Sequence, residues 1–585
     1  MRKNLTVKWI AGCFFAAFLL VGYLTGCKKE ALVYQTSDKV NITSFMDKYP
    51  EQFSEFRKIL EVTGYSGFLQ AYGKYTIFLP TNDGVKAYLT KHKKASVEQM
   101  NVDSLKDFVK FHVLEDTVST SKFGDGKLKN LTMYGQYLTT ATTNVGGSAK
   151  IRINRQADII QPNIKVGNGV IHVIGSALEP AALTLAKLIE STPGYTLFTQ
   201  ALIKTGLYDS LNYLPANNPD PNKKWLTVLA ESDEVLNKAG VTTITELINK
   251  YSSTTNESEL KKPSNGLHAF MAYHILEDAK YLADIASSQA HATLAKPEII
   301  TAKLENEQIL INDIDFNGTY EPGFLLPRAT GDVSASNGVF HATAGYTPPV
   351  GLATNGHYEI KVRTPFAVYW DVADFPEVRK QVAIFRKTGF ADFFKTSSSA
   401  VPPIAGWDWF FRAANQSHRY NNATEQWVFN DYMNLAVGIG TRSEWLNMRT
   451  PLIVRGKYKI WMCYRRQNQS GAWPTGSRTQ CAVRLDGILA PRPFDFAEPI
   501  PSGSSAELES LGWKRYTSAA SGQYVSKLVG IVDIPTTDRH TLRLDVLVGS
   551  QSTNNLDMVH FIPVDQNQIL PRFKTDGTYD YNPLP

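Results

Sequence analysis

The stretch N-G-V-I-H-V-I-G at 168–175 reads as a buried β-strand carrying one histidine, entered through a tight turn at Asn168-Gly169. It recurs as N-G-V-F-H-A-T-A-G at 337–345, 169 residues later (337 − 168), where Asn337-Gly338 supplies the same turn. The neighbourhoods recur as well. T-I-F-L-P-T-N-D (76–83) precedes the first copy and T-V-L-A-E-S-D-E (227–234) precedes the second. Between each pair lies a helix-like segment ending in an aromatic and a histidine: L-K-D-F-V-K-F-H-V-L-E-D (105–116) and L-H-A-F-M-A-Y-H-I-L-E-D (267–278). Three blocks in one order imply a duplication whose period is a domain, too long for a solenoid repeat. Two tandem domains are expected, over 40–180 and 183–346.

Inside the first of them, Phe45, Phe53, Phe56 and Ile59 can share one helical face. The run K-Y-T-I-F-L-P is short, β-rich and closed by Pro80, and Thr81-Asn82-Asp83-Gly84 then offers cap and turn chemistry. These blocks, T-I-F-L-P-T-N-D, F-H-V-L and N-G-V-I-H-V-I-G-S-A-L-E-P, resemble the conserved blocks of the fasciclin domain family. The second copy is more degenerate. It lacks the proline after the first strand and carries the polar insert P-A-N-N-P-D-P-N-K-K (215–224), yet Tyr273-His274 matches the Tyr-His block better than Phe111-His112 does. The resemblance implies an α+β fold, a β-sandwich wedge with helices at one side, and extracellular adhesion in place of catalysis. It also implies an adhesion role for the Tyr-His block. Read from the residues, His112, His172, His274 and His341 sit in apolar strand or helix contexts without a ligand set at metal spacing, and are expected to be buried and hydrogen-bonded within their domains.

The chain starts M-R-K-N-L-T-V-K and then runs apolar from Trp9 to Leu24, shorter than the ~20 residues a spanning helix needs. Its exit, Leu24-Thr25-Gly26-Cys27, resembles a bacterial lipobox, so 1–26 reads as a lipoprotein signal peptide, Cys27 as the lipidated residue and 27–39 as a linker. Losing 1–26 removes Arg2, Lys3 and Lys8 and no acid, which takes the net charge from +6 to +3 (+6 − 3). A chain so nearly balanced lacks the basic excess that nucleic-acid binding calls for. Composition, at 43% apolar and 11% aromatic, supports several packed cores.

From 350 to 585 the pattern changes to aromatic-rich, short β-like runs separated by Gly, Pro and Asn turns. Seven such runs are Y-E-I-K-V-R, Q-W-V-F, L-A-V-G-I-G, K-Y-K-I-W-M-C-Y, A-V-R-L-D, L-V-G-I-V-D-I and T-L-R-L-D-V-L-V, which suits a two-sheet sandwich. The phrases G-K-Y-K-I-W-M-C-Y-R-R and R-H-T-L-R-L…N-N-L-D-M-V-H-F-I-P are similar to the jelly-roll carbohydrate-binding modules. That resemblance implies a glycan ligand. Trp473, in the loop Q-N-Q-S-G-A-W-P-T-G-S, is placed to contact one, and Trp407 and Trp409 fit either sugar contact or core packing. Asp371, Asp374 and Glu377 in W-D-V-A-D-F-P-E read as a solvated loop or as a glycosidase pair, because such a pair is defined in space. Cys463 and Cys481 face each other if their strands form one hairpin about residue 472, which permits a disulfide; in different sheets they stay reduced and buried.

The expected whole is multidomain: two α+β fasciclin-like domains followed by an all-β jelly-roll-like sandwich. No catalytic motif, cofactor or metal site is legible. The expected function is non-catalytic adhesion and binding at the outer membrane, lipid-anchored and facing the cell surface, with a glycan or an envelope protein as partner. The alternatives are an accessory subunit docked on an outer-membrane transporter for glycan uptake and a secreted glycosidase.

Overall fold

The computed structural model describes residues 40–70, 73–145, 148–348, 351–396, 402–410, 415–420, 426–440, 442–467, 469–519 and 522–582. The expected signal peptide, Cys27 and the linker 27–39 lie outside the described residues. Two compact units divide the chain, Met1–Pro180 and Ala181–Pro585.

In the first unit, the helix Pro50–Thr63 begins with proline, whose missing N–H costs nothing there, and ends at Gly64 in the left-handed region. It buries Phe53, Phe56, Ile59 and Leu60. The helix Val102–Phe111 is capped by Asn101, whose side chain accepts from the N–H groups of Asp103 and Ser104. These helices cover one face of a seven-stranded sheet, ordered Val113–Leu114, Tyr75–Pro80, Gly169–Ile174, Ala157–Val166, Ser148–Ile153, Tyr137–Val145 and Gly126–Leu131. The two block strands pair in parallel, Tyr75 with Gly169 through Pro80 with Ile174. Both are buried on two faces, as parallel central strands usually are. Ile77 and Leu79 join the helical core with Ile171 and Val173, while Phe78 and Ile174 join Leu128, Leu138 and Ile153 in a second cluster.

The expected Asn-Gly turn is displaced by one residue. Val166 pairs with Gly169, so the loop is Gly167-Asn168, and in the second repeat Ala335 pairs with Gly338 about Ser336-Asn337. Each glycine is instead the first strand residue, required because a Cβ would sit 2.0 Å from the carbonyl oxygen of Tyr75 or of Leu226 in the parallel partner. Each asparagine ties the strand to the start of its repeat. Asn168 accepts from Ile42 N–H at 2.9 Å and donates to Leu69 O at 2.6 Å; Asn337 accepts from Leu185 N–H and donates to Leu211 O, both at 2.8 Å.

The second repeat keeps the parallel pair, Leu226–Ala230 with Gly338–Ala342, in a four-stranded sheet flanked by Val333–Ala335 and Ile275–Glu277. A separate four-stranded sheet contains Ala290–Ala292, Ile299–Glu305, Gln308–Ile311 and Phe324–Leu326, and the hairpin Ile314–Phe316/Thr319–Glu321 stands beside it. The repeat does not end at 346. The run Y-E-I-K-V-R forms no strand; Tyr358 is buried among Tyr273, Leu276 and Phe324, and Arg363 reaches back to Glu321 with Nη1 3.0 Å from both carboxylate oxygens. Its alternation matches the surface of the second repeat, so residues 357–363 belong there as a strap, and the sandwich begins at Val368.

The sandwich packs an eight-stranded sheet, including Val368–Asp371, Gly456–Arg465, Tyr524–Ile534 and Asn555–Pro563, on a six-stranded sheet, including Trp445–Ile453, Thr479–Leu485 and Asp538–Gly549. Leu446, Met448, Val483, Leu542 and Leu544 of one meet Ile460, Met462, Val529, Val559 and Phe561 of the other in one core. Of the seven expected runs, the four later ones are strands. Q-W-V-F instead contains a short 3-10 turn, Val428–Asn430, and L-A-V-G-I-G contributes a single bridge, Val437 to Ser443.

Of the two arrangements open to Cys463 and Cys481, a hairpin pair or buried thiols in different sheets, the structure has the second. They lie in different sheets, Cys463 beside Ser526 and Met558 and Cys481 beside Val546 and Phe494, and both are free, buried thiols. The loop between them crosses from one sheet to the other, which separates the two side chains. Burial pushes the Cys463 thiol up to about 12 and the Cys481 thiol higher still. A chain starting at residue 40 is therefore expected to show two reactive thiols after denaturation without reductant and none when native, counted with a thiol-titrating reagent.

Candidate functional site

The block histidines are the first candidates, and each is placed by its element. His112 and His274 are the C-cap residues of Val102–Phe111 and Gly266–Tyr273. Their Nδ1 atoms reach the carbonyl oxygens of Phe108 at 2.7 Å and Phe270 at 2.8 Å, satisfying groups a helix end leaves orphaned. His172 donates from Nε2 to Val118 O and accepts at Nδ1 from Asn163 N–H, at 2.9 and 3.3 Å. His341 repeats this with Lys280 O and Asp332 N–H, at 2.9 and 3.1 Å. All four rings are buried. Burial holds His112 down at about 4 and lowers His172. Tyr273 is equally enclosed, its hydroxyl donating to Ile299 O at 2.9 Å. The adhesion role that the resemblance implies for Tyr273 and His274 therefore does not operate through their direct contact with a partner.

The repeats differ at the second nitrogen of the cap histidine. In the first, His112 Nε2 accepts from Leu178 N–H at 2.9 Å. In the second, His274 Nε2 faces a carboxylate oxygen, Glu231 Oε1, at 3.0 Å. Glu231 stands where the first repeat has Pro80, and it is fully buried. It also accepts from Tyr358 N–H at 3.1 Å and contacts His357 Nδ1 at 2.8 Å; Glu359 and Lys250 surround His357 Nε2 at 3.2 and 3.1 Å. Burial opposes the charge on His357, but its bonds to Glu231 and Glu359 outweigh this and raise it to about 9. The strap is thereby held to the second repeat by a buried ion pair.

At its far end the strap leads to a cleft of about 580 Å³ between the second repeat and the sandwich. Arg363 lies 3.9 Å over the ring of Phe316, and Phe366 packs on that ring at 5.1 Å, so the hairpin Ile314–Phe316 forms one wall. The sandwich lines the rest with Tyr369, Asp374, Arg386, Trp407 and Phe429. The strand Val368–Asp371 is fixed by pairing with Asn555–Pro563. Asp371 is buried, takes Ala373 N–H on Oδ1 and Arg386 Nη2 on Oδ2 at 3.2 Å, and is pushed up to about 8 by burial and by the nearby charge of Asp431. Asp374 pairs with Arg379 at 2.8 Å, and Glu377 accepts from Ala405 N–H. Asp371 of W-D-V-A-D-F-P-E is thus buried, Asp374 and Glu377 are partly exposed, and Arg386 lies between Asp371 and Asp374 at the cleft.

Of the two readings open to Trp407 and Trp409, sugar contact and core packing, their burial, at 3% and 0% exposed, fits core packing. Trp407 packs on Phe375 at 5.3 Å, and Trp409 sits opposite Leu446 on the inner face. Trp473 is half-buried in its loop, away from the cleft lining, with its indole nitrogen enclosed and given no partner within the protein. Sequence reasoning missed Arg386, Phe429 and Phe316, which carry no motif. Glu231 left one signal, the missing proline.

Residues 51–180 and 193–343 match the family model for the fasciclin domain. Both repeats are fasciclin-like domains. Mouse Stabilin-2 is 25% identical over 320 residues, covering 52% of this chain, and the chain spans 11% of that protein's length. Among solved structures, the FAS1 domain pair of the insect cell adhesion molecule Fasciclin I is 16% identical with a TM-score of 0.21, covering 49% of this chain and 95% of that one. A family 35 carbohydrate binding module from Clostridium thermocellum is 10% identical with a TM-score of 0.17, covering 34% of this chain and 98% of that one.

The ion pair under the strap of the second fasciclin-like domain sets a pH dependence. A histidine raised to about 9 on folding contributes stability that is complete below its ordinary 6.5 and lost as pH rises through 9. His357→Ala in a chain of residues 181–585 is expected to cost on the order of 3 kcal/mol at pH 6, since it leaves a buried carboxylate short of a partner. It is also expected to remove the decline between pH 6.5 and 9. Urea unfolding across that range measures both.

Proposed function

We propose that this protein is a lipid-anchored adhesion and binding protein of a bacterial outer membrane, facing the cell surface, whose fasciclin-like pair carries a sandwich that binds a saccharide. The reading of a ligand rests on one observation, the cleft: a concavity of about 580 Å³ with aromatic walls and a few fixed, charged hydrogen-bonding side chains, the usual make-up of a ligand site. Aromatic faces suit the apolar side of a sugar ring, and fixed guanidinium and carboxylate groups suit its hydroxyls. The anchor rests on Leu24-Thr25-Gly26-Cys27. Asp371 and Asp374 at the cleft are already tied to arginine or main-chain partners, which favours holding a ligand over hydrolysing it.

Two outcomes are expected. Cys27→Ser shifts the protein from the membrane fraction to the soluble fraction, because one residue supplies the anchor; retention in the membrane rejects it. Protease added to intact cells removes the chain beyond residue 39, whereas protection until lysis places it inside the envelope. Co-purification of a stoichiometric transporter under mild detergent would replace adhesion by the uptake role.

A further inference from the structure

We infer that recognition in the cleft is carried by Arg386 stacked on Phe429, with Phe316 contributed by the second fasciclin-like domain, and that the ligand is a saccharide gripped through neighbouring hydroxyls. This rests on the reading of the cleft as a saccharide site. The first ground is backbone conformation. Arg386, Phe429 and Asn430 have φ of 52°, 58° and 60°, in the left-handed region that bulky side chains rarely enter. Arg386 and Phe429 come from segments more than forty residues apart in the sequence and meet with the guanidinium 3.5 Å over the ring, inside the cleft. Backbone strain of this kind persists where the surrounding structure enforces it and gathers at ligand-holding positions.

The second ground is hydrogen bonding. Arg386 is tied through Nη2 to Asp371 at 3.2 Å and lies 3.7 Å from Asp374, yet its Nε is enclosed and donates to no protein atom. One donor of this fixed guanidinium is thus left for a group outside the protein. Asp374, 3.7 Å from the guanidinium, places acceptors beside its donors at the cleft. Hydroxyls, which donate and accept, meet that pattern. The third ground is the wall. Phe316 reaches the cleft from another domain, and its position depends on Arg363, whose guanidinium covers one face of the ring. The sandwich alone would lack this aromatic surface.

Calorimetric titration of residues 40–585 with xylohexaose, mannohexaose and cellohexaose tests the inference, using Arg386→Lys and Phe316→Ala. Lysine keeps the charge but loses the flat fork and the stack. Each variant is expected to weaken binding of the saccharide the parent protein takes by about tenfold or more, the loss of one good contact, with the unfolding midpoint unchanged. If Arg386→Lys fails to fold, Phe316→Ala, in a different domain, decides. Parent-like affinity in folded variants overturns the inference and leaves the saccharide reading standing. Binding of neither these three nor oligogalacturonate by the parent overturns both, and binding of oligogalacturonate alone overturns the grip through hydroxyls.

Discussion

In both repeats a histidine at a helix C-terminus uses one ring nitrogen on the carbonyl four residues back, and burial obliges the other nitrogen to find a partner too. In the first repeat the chain's own exit from the last block strand supplies it, through Leu178 N–H. In the second, a carboxylate at the position of Pro80 takes that place, and a buried carboxylate brings a demand of its own. Glu231 is satisfied only when His357 and Tyr358 close over it. The domain therefore extends past its last block strand by a strap that the first repeat does not need.

The consequences run along that strap. Its beginning is fixed by the ion pair, its middle by Tyr358 among aromatic rings, and its end by Arg363 on Glu321 and Phe316. Only a few residues later the chain enters the strand Val368–Asp371. The hairpin wall and the first sandwich strand are thus held by one short segment, which gives the cleft two walls with a common support. A buried polar network of this kind is demanding, because removing one member leaves the others unsatisfied.

The sandwich shows the same economy at its cleft. Asp371 stays close to neutral titration through burial and like charge, and Arg386 holds it while lying flat on Phe429. The tryptophans that fit either sugar contact or core packing in the sequence are used as core, Trp409 between sheets and Trp407 against Phe375. A tryptophan buries more apolar area than any other side chain here, so an inward-facing strand position claims it first.

The duplication, the block order, the buried block strand and the burial of the histidines were legible from local pattern, since period and apolar context are properties of neighbouring residues. The strands from Gly456 onward were legible for the same reason. Three things were decided only by tertiary structure. Y-E-I-K-V-R alternates like a strand, but which surface receives its buried side is a question of what lies opposite. Cys463 and Cys481 have a spacing that fits a hairpin, yet a crossing loop places them in separate sheets. Arg386, Phe429 and Phe316 have no common sequence signal, because a cleft assembled from three separate segments exists only once those segments have packed.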